Sequence, residues 1–205
     1  MRKGKTSYHH GNLAESLLDA VDEIATRFGL EAVTLRACAK LIGVSPSSAF
    51  RHYADKRSLL TAFATRALDQ LSVAMLQARN APDEPQPGDN AFTRVGLAYV
   101  KFALDKPAFF RAMWSEETLY TNDENYTRAA NQLSAHLKDG FGETLKDNDP
   151  DNLSAKELLA WSALHGLANL FVDGPIGKNA SRDEKLMMAR EMILAAAPAL
   201  SAHES

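Results

Sequence analysis

The stretch Gly43–Leu60, GVSPSSAFRHYADKRSLL, decides how the chain is read. It is short, rich in serine and crowded with cations. Arg51, His52, Lys56 and Arg57 fall within seven residues, interleaved with Phe50 and Tyr53, in a chain of 205 residues whose formal net charge is −3. Ser45 can cap a helix, and Pro46 then sits in its first turn, where a missing N–H costs nothing. Asp55 can cap a second, longer helix beginning near Lys56. Its apolar positions Leu60, Phe63, Ala64, Ala67, Leu71, Ala74 and Met75 recur at helical steps. The first of these two helices has room for only about two turns.

Upstream, Thr34 is placed to cap LRACAKLI, and Gly43 to end it. Ala39 and Gly43 lie four apart. A small residue at the first lets two helices cross closely, and glycine at the second permits a left-handed turn. Two capped short helices joined this way form a helix-turn-helix. Before them, Leu13, Leu17, Ala20, Val21, Ile24, Ala25 and Phe28 mark one buried face of a first helix. Asn12 and Glu15 form its capping box and Gly29 its stop.

Charge supports this reading. Residues 1–66 carry ten Lys/Arg against six Asp/Glu, and residues 67–205 carry thirteen against twenty. A basic third on an acidic body suggests a polyanion held at one end. A helix laid in a major groove offers its N-terminal residues to base edges. Ser45, Ser47 and Ser48 are small and polar there. His52 and Lys56, behind them, suit phosphates, as do Thr34 and the N-terminus of the fourth helix. Arg2, Lys3 and Lys5, ahead of the first helix, fit either a DNA-tracking arm or a plain basic tail.

Residues 9–66 resemble the DNA-binding domain of the TetR family of transcriptional repressors, through YHHGNL, AVTLRACAKLIGVSPSSAFRHYADKRSLL and the long helix that follows. The resemblance implies phosphate contacts at Thr34, His52 and Lys56, base-facing positions at Ser47 and Ser48, and a base-reaching Arg36 that can fork onto guanine. One departure stands out. The family often has tyrosine where this chain has Phe50 and phenylalanine where it has Tyr53. Phe50 cannot hydrogen-bond a phosphate, though it can touch a thymine methyl. Tyr53 is expected in the core with its hydroxyl at the edge.

Further along, NAPDEPQPGDN at 80–90 reads as a loop within the larger part. The segments AFTRVGLAYVKFALDKP, PAFFRAMWSEE, NYTRAANQLSAHLKDGFGETL, AKELLAWSALHGLANLFVDG and DEKLMMAREMILAAAPAL each read as helix. The expected fold is all-α: an arm and helix-turn-helix domain over 1–55, then a helical effector-binding and dimerisation domain over 56–205. The WSALHGLANLF helix is apolar almost all round, at Leu158, Leu159, Trp161, Leu164, Leu167, Leu170 and Phe171, so more than one partner must cover it. With the last helix, carrying Leu186, Met187, Ile193 and Leu194, it can form a four-helix homodimer interface. Trp161, His165 and Gly166 resemble the "WHG" C-terminal domain of one branch of the family.

The family resemblance also implies a small-molecule effector that alters the spacing of two DNA-binding heads, and repression as the direction of control. Tyr99, Phe102, Phe110, Met113, Trp114, Trp161 and His165 are the expected lining, soft and aromatic, with His165 or Tyr99 as a polar handle for a mainly apolar ligand. The partners expected are therefore double-stranded DNA, that effector and a second copy of the chain.

Other chemistries find little support. No Gly-x-Ser-x-Gly, phosphate-cradling glycine loop or His-Glu-x-x-His occurs, so no enzyme is expected. Neither is a cofactor or metal: His9 and His10 are adjacent and lack Cys or carboxylate company. DNDPDNLSAKE has Pro150 inside and Asn152 where a calcium loop needs glycine. Cys38 is the only cysteine, which suits a reducing compartment and a packed, inert thiol. With no apolar run of about 18 residues and no signal-peptide core, the expected location is the cytoplasm, away from membranes.

Overall fold

The computed structural model describes residues 13–82, 88, 90–139 and 154–201. The basic arm, Asn12, His9, His10, residues 83–87 and 89 of the loop, and the acidic stretch up to 153 lie outside them. Nine α-helices follow in order among the described residues: α1 (Leu13–Phe28), α2 (Leu35–Ile42), α3 (Pro46–Phe50), α4 (Lys56–Arg79), α5 (Ala91–Asp105), α6 (Pro107–Met113), α7 (Glu124–Asp139), α8 (Ala155–Val172) and α9 (Arg182–Ser201). Short 3-10 turns occupy Leu30–Ala32 and Glu116–Thr118. No strand occurs among the described residues, so the all-α expectation holds. No helix among them is long and apolar enough to cross a membrane.

The caps form as the sequence dictates. Thr34 is extended, and its hydroxyl accepts the Ala37 N–H at 3.0 Å. Gly43 adopts φ 75° and ψ 28°, a conformation that a Cβ would penalise. The Val44 N–H then returns to the Ala39 carbonyl at 2.9 Å, and Ala39 is fully buried where α2 meets its neighbours. Ser45 accepts the Ser48 N–H at 3.2 Å, with Pro46 in the first turn. The helix it opens is shorter than two turns, ending at Phe50.

α4 is the central spar. Leu59, Leu60, Phe63, Ala64, Ala67, Leu68, Leu71 and Met75 are buried along it, with α1, α5, α6 and α7 packed around it. Phe63 stacks on Phe109 of α6 at 4.3 Å between ring centroids. Arg66 reaches back to Asp19 of α1 at 2.7 Å. Ala74 is only half-buried.

Two apolar expectations turn out differently. Phe28 fits the buried face of α1 by its spacing but is 70% exposed. It ends the helix, and the chain turns away at Gly29 (φ 82°), so no described residue packs over that last turn. Around α8, Ala160, Leu164, Ala168 and Phe171 are buried, whereas Leu158 and Leu159 are 53% and 50% exposed. Met187 of α9 is 59% exposed. Among the described residues, one side of this all-round apolar helix is covered and the Leu158–Leu159 side is exposed.

Candidate nucleic-acid interface and effector cluster

The expected DNA-facing residues all fall between the cap of α2 and the first residue of α4. Thr34, Arg36, Ser45, Ser47 and His52 are exposed; Ser48 and Lys56 are half-buried. The three serines share one hydroxyl network: Ser45 Oγ lies 2.9 Å from Ser47 Oγ and 2.8 Å from Ser48 Oγ. Arg51 Nη2 donates to Ser48 Oγ at 3.2 Å, fixing a cation beside the helix surface expected to face bases. Lys56 Nζ donates to the Glu31 carbonyl at 3.0 Å. An ammonium has three N–H donors, so this anchor positions the charge and leaves two for another acceptor. Thr34 likewise uses its oxygen for the cap and keeps its own O–H.

The exchanged aromatics separate. Phe50 is 45% exposed on α3. Tyr53 is half-buried, donates to the Ala14 carbonyl at 3.4 Å, and burial pushes its phenol up to about 12. Cys38 is fully buried, and desolvation pushes its thiol up to about 11, which suits inert packing.

Arg57 has a different task from its neighbours. Its Nε donates to the Leu119 carbonyl at 2.8 Å, and its guanidinium lies 4.6 Å from the Tyr120 ring centroid. Around it, the Tyr120 hydroxyl donates to Asp55 Oδ2 at 2.7 Å, and the Tyr120 N–H donates to Thr61 Oγ1 at 2.9 Å. Asp55 Oδ1 accepts the Ser58 N–H at 2.7 Å, and Ser58 Oγ accepts the Asp55 N–H at 3.1 Å. These bonds, the Ser58 one foremost, hold the Asp55 carboxyl below its ordinary range. The N-terminus of α4, expected to be open to a phosphate, thus already carries an anion. The segment after α6 is in this way latched to the start of α4. Nothing local in the sequence points to the latch, because its partners lie about sixty residues apart.

Five of the seven expected effector residues meet where α5, α6 and α8 pack. Tyr99 is buried, and its hydroxyl lies 2.9 Å from His165 Nδ1. Trp161 stacks parallel to His165, 7° between planes. Trp114 stands edge-on to both, with centroids at 5.2 Å and 4.8 Å. Phe110 completes the group, 5.6 Å from His165 and 6.0 Å from Tyr99. Burial drives the Tyr99 phenol far upward and the His165 imidazole below its usual value, so both are neutral at pH 7. Met113 is buried at the end of α6, and its carbonyl accepts the Tyr126 hydroxyl at 3.4 Å. Phe102 points elsewhere. It lines a separate open cleft of about 720 Å³, shared with Leu18, Tyr53, Arg66, Val73 and Lys106.

Two buried polar atoms, one at the rings and one a helical turn before Trp161, have no hydrogen-bond partner among the described residues. One is Trp114 Nε1. It lies close enough to the Tyr99 oxygen to temper that phenol's rise, but outside hydrogen-bond geometry. The other is Glu157 Oε1. Glu157 is only 5% exposed, one helical turn before Trp161 on α8, and no sequence signal singles it out. Its Oε2 accepts the Ser154 N–H at 2.7 Å in a capping box.

Comparison with known proteins places both halves. Residues 17–63 match the family described as bacterial regulatory proteins, tetR family. Residues 92–193 match the tetracyclin repressor-like C-terminal domain. The curated relative YobS of Bacillus subtilis, an uncharacterized HTH-type transcriptional regulator, is 29% identical over 102 residues. That match spans 50% of this chain and about half (51%) of the relative's length. A bacterial regulatory protein in the tetR family from Rhodococcus RHA1 superposes with a TM-score of 0.61 at 20% identity, over 93% of this chain and 98% of that one. The TetR family transcriptional regulator PfmR of Thermus thermophilus gives 0.55 at 22%, over 87% and 97%. At such identities the likeness is one of fold.

Proposed function

The chain belongs to the TetR family of transcriptional regulators and carries that family's DNA-binding helix-turn-helix domain; on that premise we propose that it is a repressor, binding a palindromic operator as a homodimer and released by a small, mainly apolar effector. Residues 1–55 are the head and 56–205 the effector and dimer body. The observation that carries the reading is the surface from Thr34 to Lys56. It combines exposed small hydroxyls at the start of α3 with a flanking ammonium tethered to a backbone carbonyl. Ser45, Ser47, Ser48 and Arg36 read bases; Thr34, His52 and Lys56 hold phosphates. The solvent-facing leucines of α8 and methionines of α9 are covered by the same helices of a second copy. The two recognition helices then meet successive major grooves, about 34–36 Å apart. The protein acts in the cytoplasm.

Release follows from the latch. Trp114 caps α6 at the edge of the ring cluster. A few residues on, Leu119 and Tyr120 hold Asp55, Arg57 and Thr61. An effector seated among Tyr99, Phe110, Met113, Trp114, Trp161 and His165 displaces that segment and, with it, the start of α4. Phe102, which lines the other cleft, takes no part in this seat. The effector must prefer the displaced arrangement, since a ligand with equal affinity for both states shifts neither. The test is a salt titration of operator binding. Affinity falls steeply and linearly in log–log form if phosphates are neutralised. A flat response ends the DNA-facing assignment.

A further inference from the structure

The ring cluster and Glu157 together have a chemistry that an apolar effector alone does not use. Glu157 occupies the buried side of α8, one turn before Trp161, where an i, i+4 pair shares a face. One carboxylate oxygen closes the capping box with Ser154; the other is sealed from water and accepts from no group among the described residues. A buried acceptor left bare is costly, and a buried charge left unpaired more so. A ligand that brings a donor can complete such a group. Next on that face is Trp161, with Trp114 edge-on to it at 5.2 Å between centroids; both are half-buried indoles, whose faces attract a cation. Trp114 Nε1 adds an unused donor. His165, held neutral by burial, does not compete for the carboxylate. The described rings bring no Lys or Arg with them.

Resting on the effector reading above, we infer that this site takes an amphipathic organic cation: a protonated or quaternary amine whose head sits on Glu157 Oε1 and the tryptophan faces, and whose apolar body lies among the rings. An N–H of a protonated amine donates to Oε1. Any hydrogen-bond acceptor on the body meets Trp114 Nε1.

The experiment uses the full chain without DNA and three probes of one shape: phenylpropylamine, phenylpropanol and phenylpropanoate. Calorimetric titration gives the amine an affinity at least about tenfold above the alcohol, and the carboxylate none. Glu157→Gln keeps the cap, because glutamine serves at that position. It lowers the amine to the level of the alcohol and leaves the alcohol unchanged. Both tryptophans of the chain lie in this cluster, so intrinsic fluorescence of the unaltered protein must change with the same affinity for the amine, whatever the variant's folding. The inference is overturned if alcohol or carboxylate binds as well as the amine, if the amine's advantage survives Glu157→Gln, if emission does not respond, or if no probe binds. Operator release is measured separately. Release by the alcohol but not by the amine keeps the effector reading and ends this one. Amine binding without release does the reverse.

Discussion

Replacing Arg57 and Lys56 by alanine, one at a time, tests whether two adjacent cations do different work. The Arg57 side chain makes one charge-assisted bond to the Leu119 carbonyl and lies over the Tyr120 ring. A hydrogen bond from a charged group contributes about 1.5–3 kcal/mol, and an exposed cation–π contact about 0.5–1. Arg57 is largely exposed, and solvent screening reduces the sum to about 1–2 kcal/mol. For a chain of this size that lowers Tm by roughly 3–6 °C. Lys56 instead holds an exposed backbone carbonyl, so Lys56→Ala changes Tm by about 1 °C or less. On DNA the order reverses. Lys56→Ala weakens binding to every sequence alike and lowers the salt slope by about one per subunit. Arg57→Ala leaves the slope unchanged. Thermal melts with fluorescence anisotropy on an operator duplex at several salt concentrations read both quantities. Equal slope losses for the two variants, with no loss of stability for Arg57→Ala, would refute the division of labour.

Gly43→Ala costs about 1–2 kcal/mol in a chemical melt, because φ 75° penalises any Cβ while no neighbouring atom obstructs it; an unchanged midpoint contradicts the turn. Leu159→Asp places a charge on the exposed stripe of α8 and weakens a dimer by about 100-fold or more, seen as a shift to monomer in sedimentation at micromolar protein. His165 supplies a pH dependence. Its folded pKa is depressed by burial, so in the window below the unfolded value of about 6.5 the unfolded chain binds a proton that the native one lacks. Stability is full above that window and is lost as pH falls through it; His165→Gln removes this loss, and Tm measured between about pH 7.5 and 5.5 flattens. Ser48→Ala and Arg36→Ala relax preference at particular base pairs without a uniform loss of affinity, which a randomised-operator selection resolves.

Much of the fold is legible because its punctuation is local. Thr34, Ser45 and Asp55 each bond an N–H three residues on, and Gly43 needs only its own φ. A reader of the chain sees both partners at once. The ring cluster is half legible. Aromatic composition nominates Tyr99, Trp114, Trp161 and His165, but Phe102, three residues after Tyr99 and so close to it on the helix face, lines the other cleft instead, which helix period alone cannot tell. Glu157 is hidden because a glutamate in the first turn of a helix is normally a solvated cap, and its burial depends on what packs over α8. Arg57 reads like the cations around it. Its binding to Leu119 and Tyr120 is set by how α6 and the following turn fold back on α4, which no periodicity records. Phe28 fits the spacing of a buried face, but the helix outruns its neighbours by one turn.

The surface from Thr34 to Lys56 is the proposed reader of the operator. Its most direct test is a pull-down of fragmented genomic DNA on the purified full chain, at low and at raised salt, with Lys56→Ala alongside. The expected result is enrichment of one short inverted repeat, with half-sites a helical turn or a multiple of one apart, diminished by salt and by the substitution. Retention of no fragment at any salt, or enrichment that Lys56→Ala leaves untouched, contradicts it.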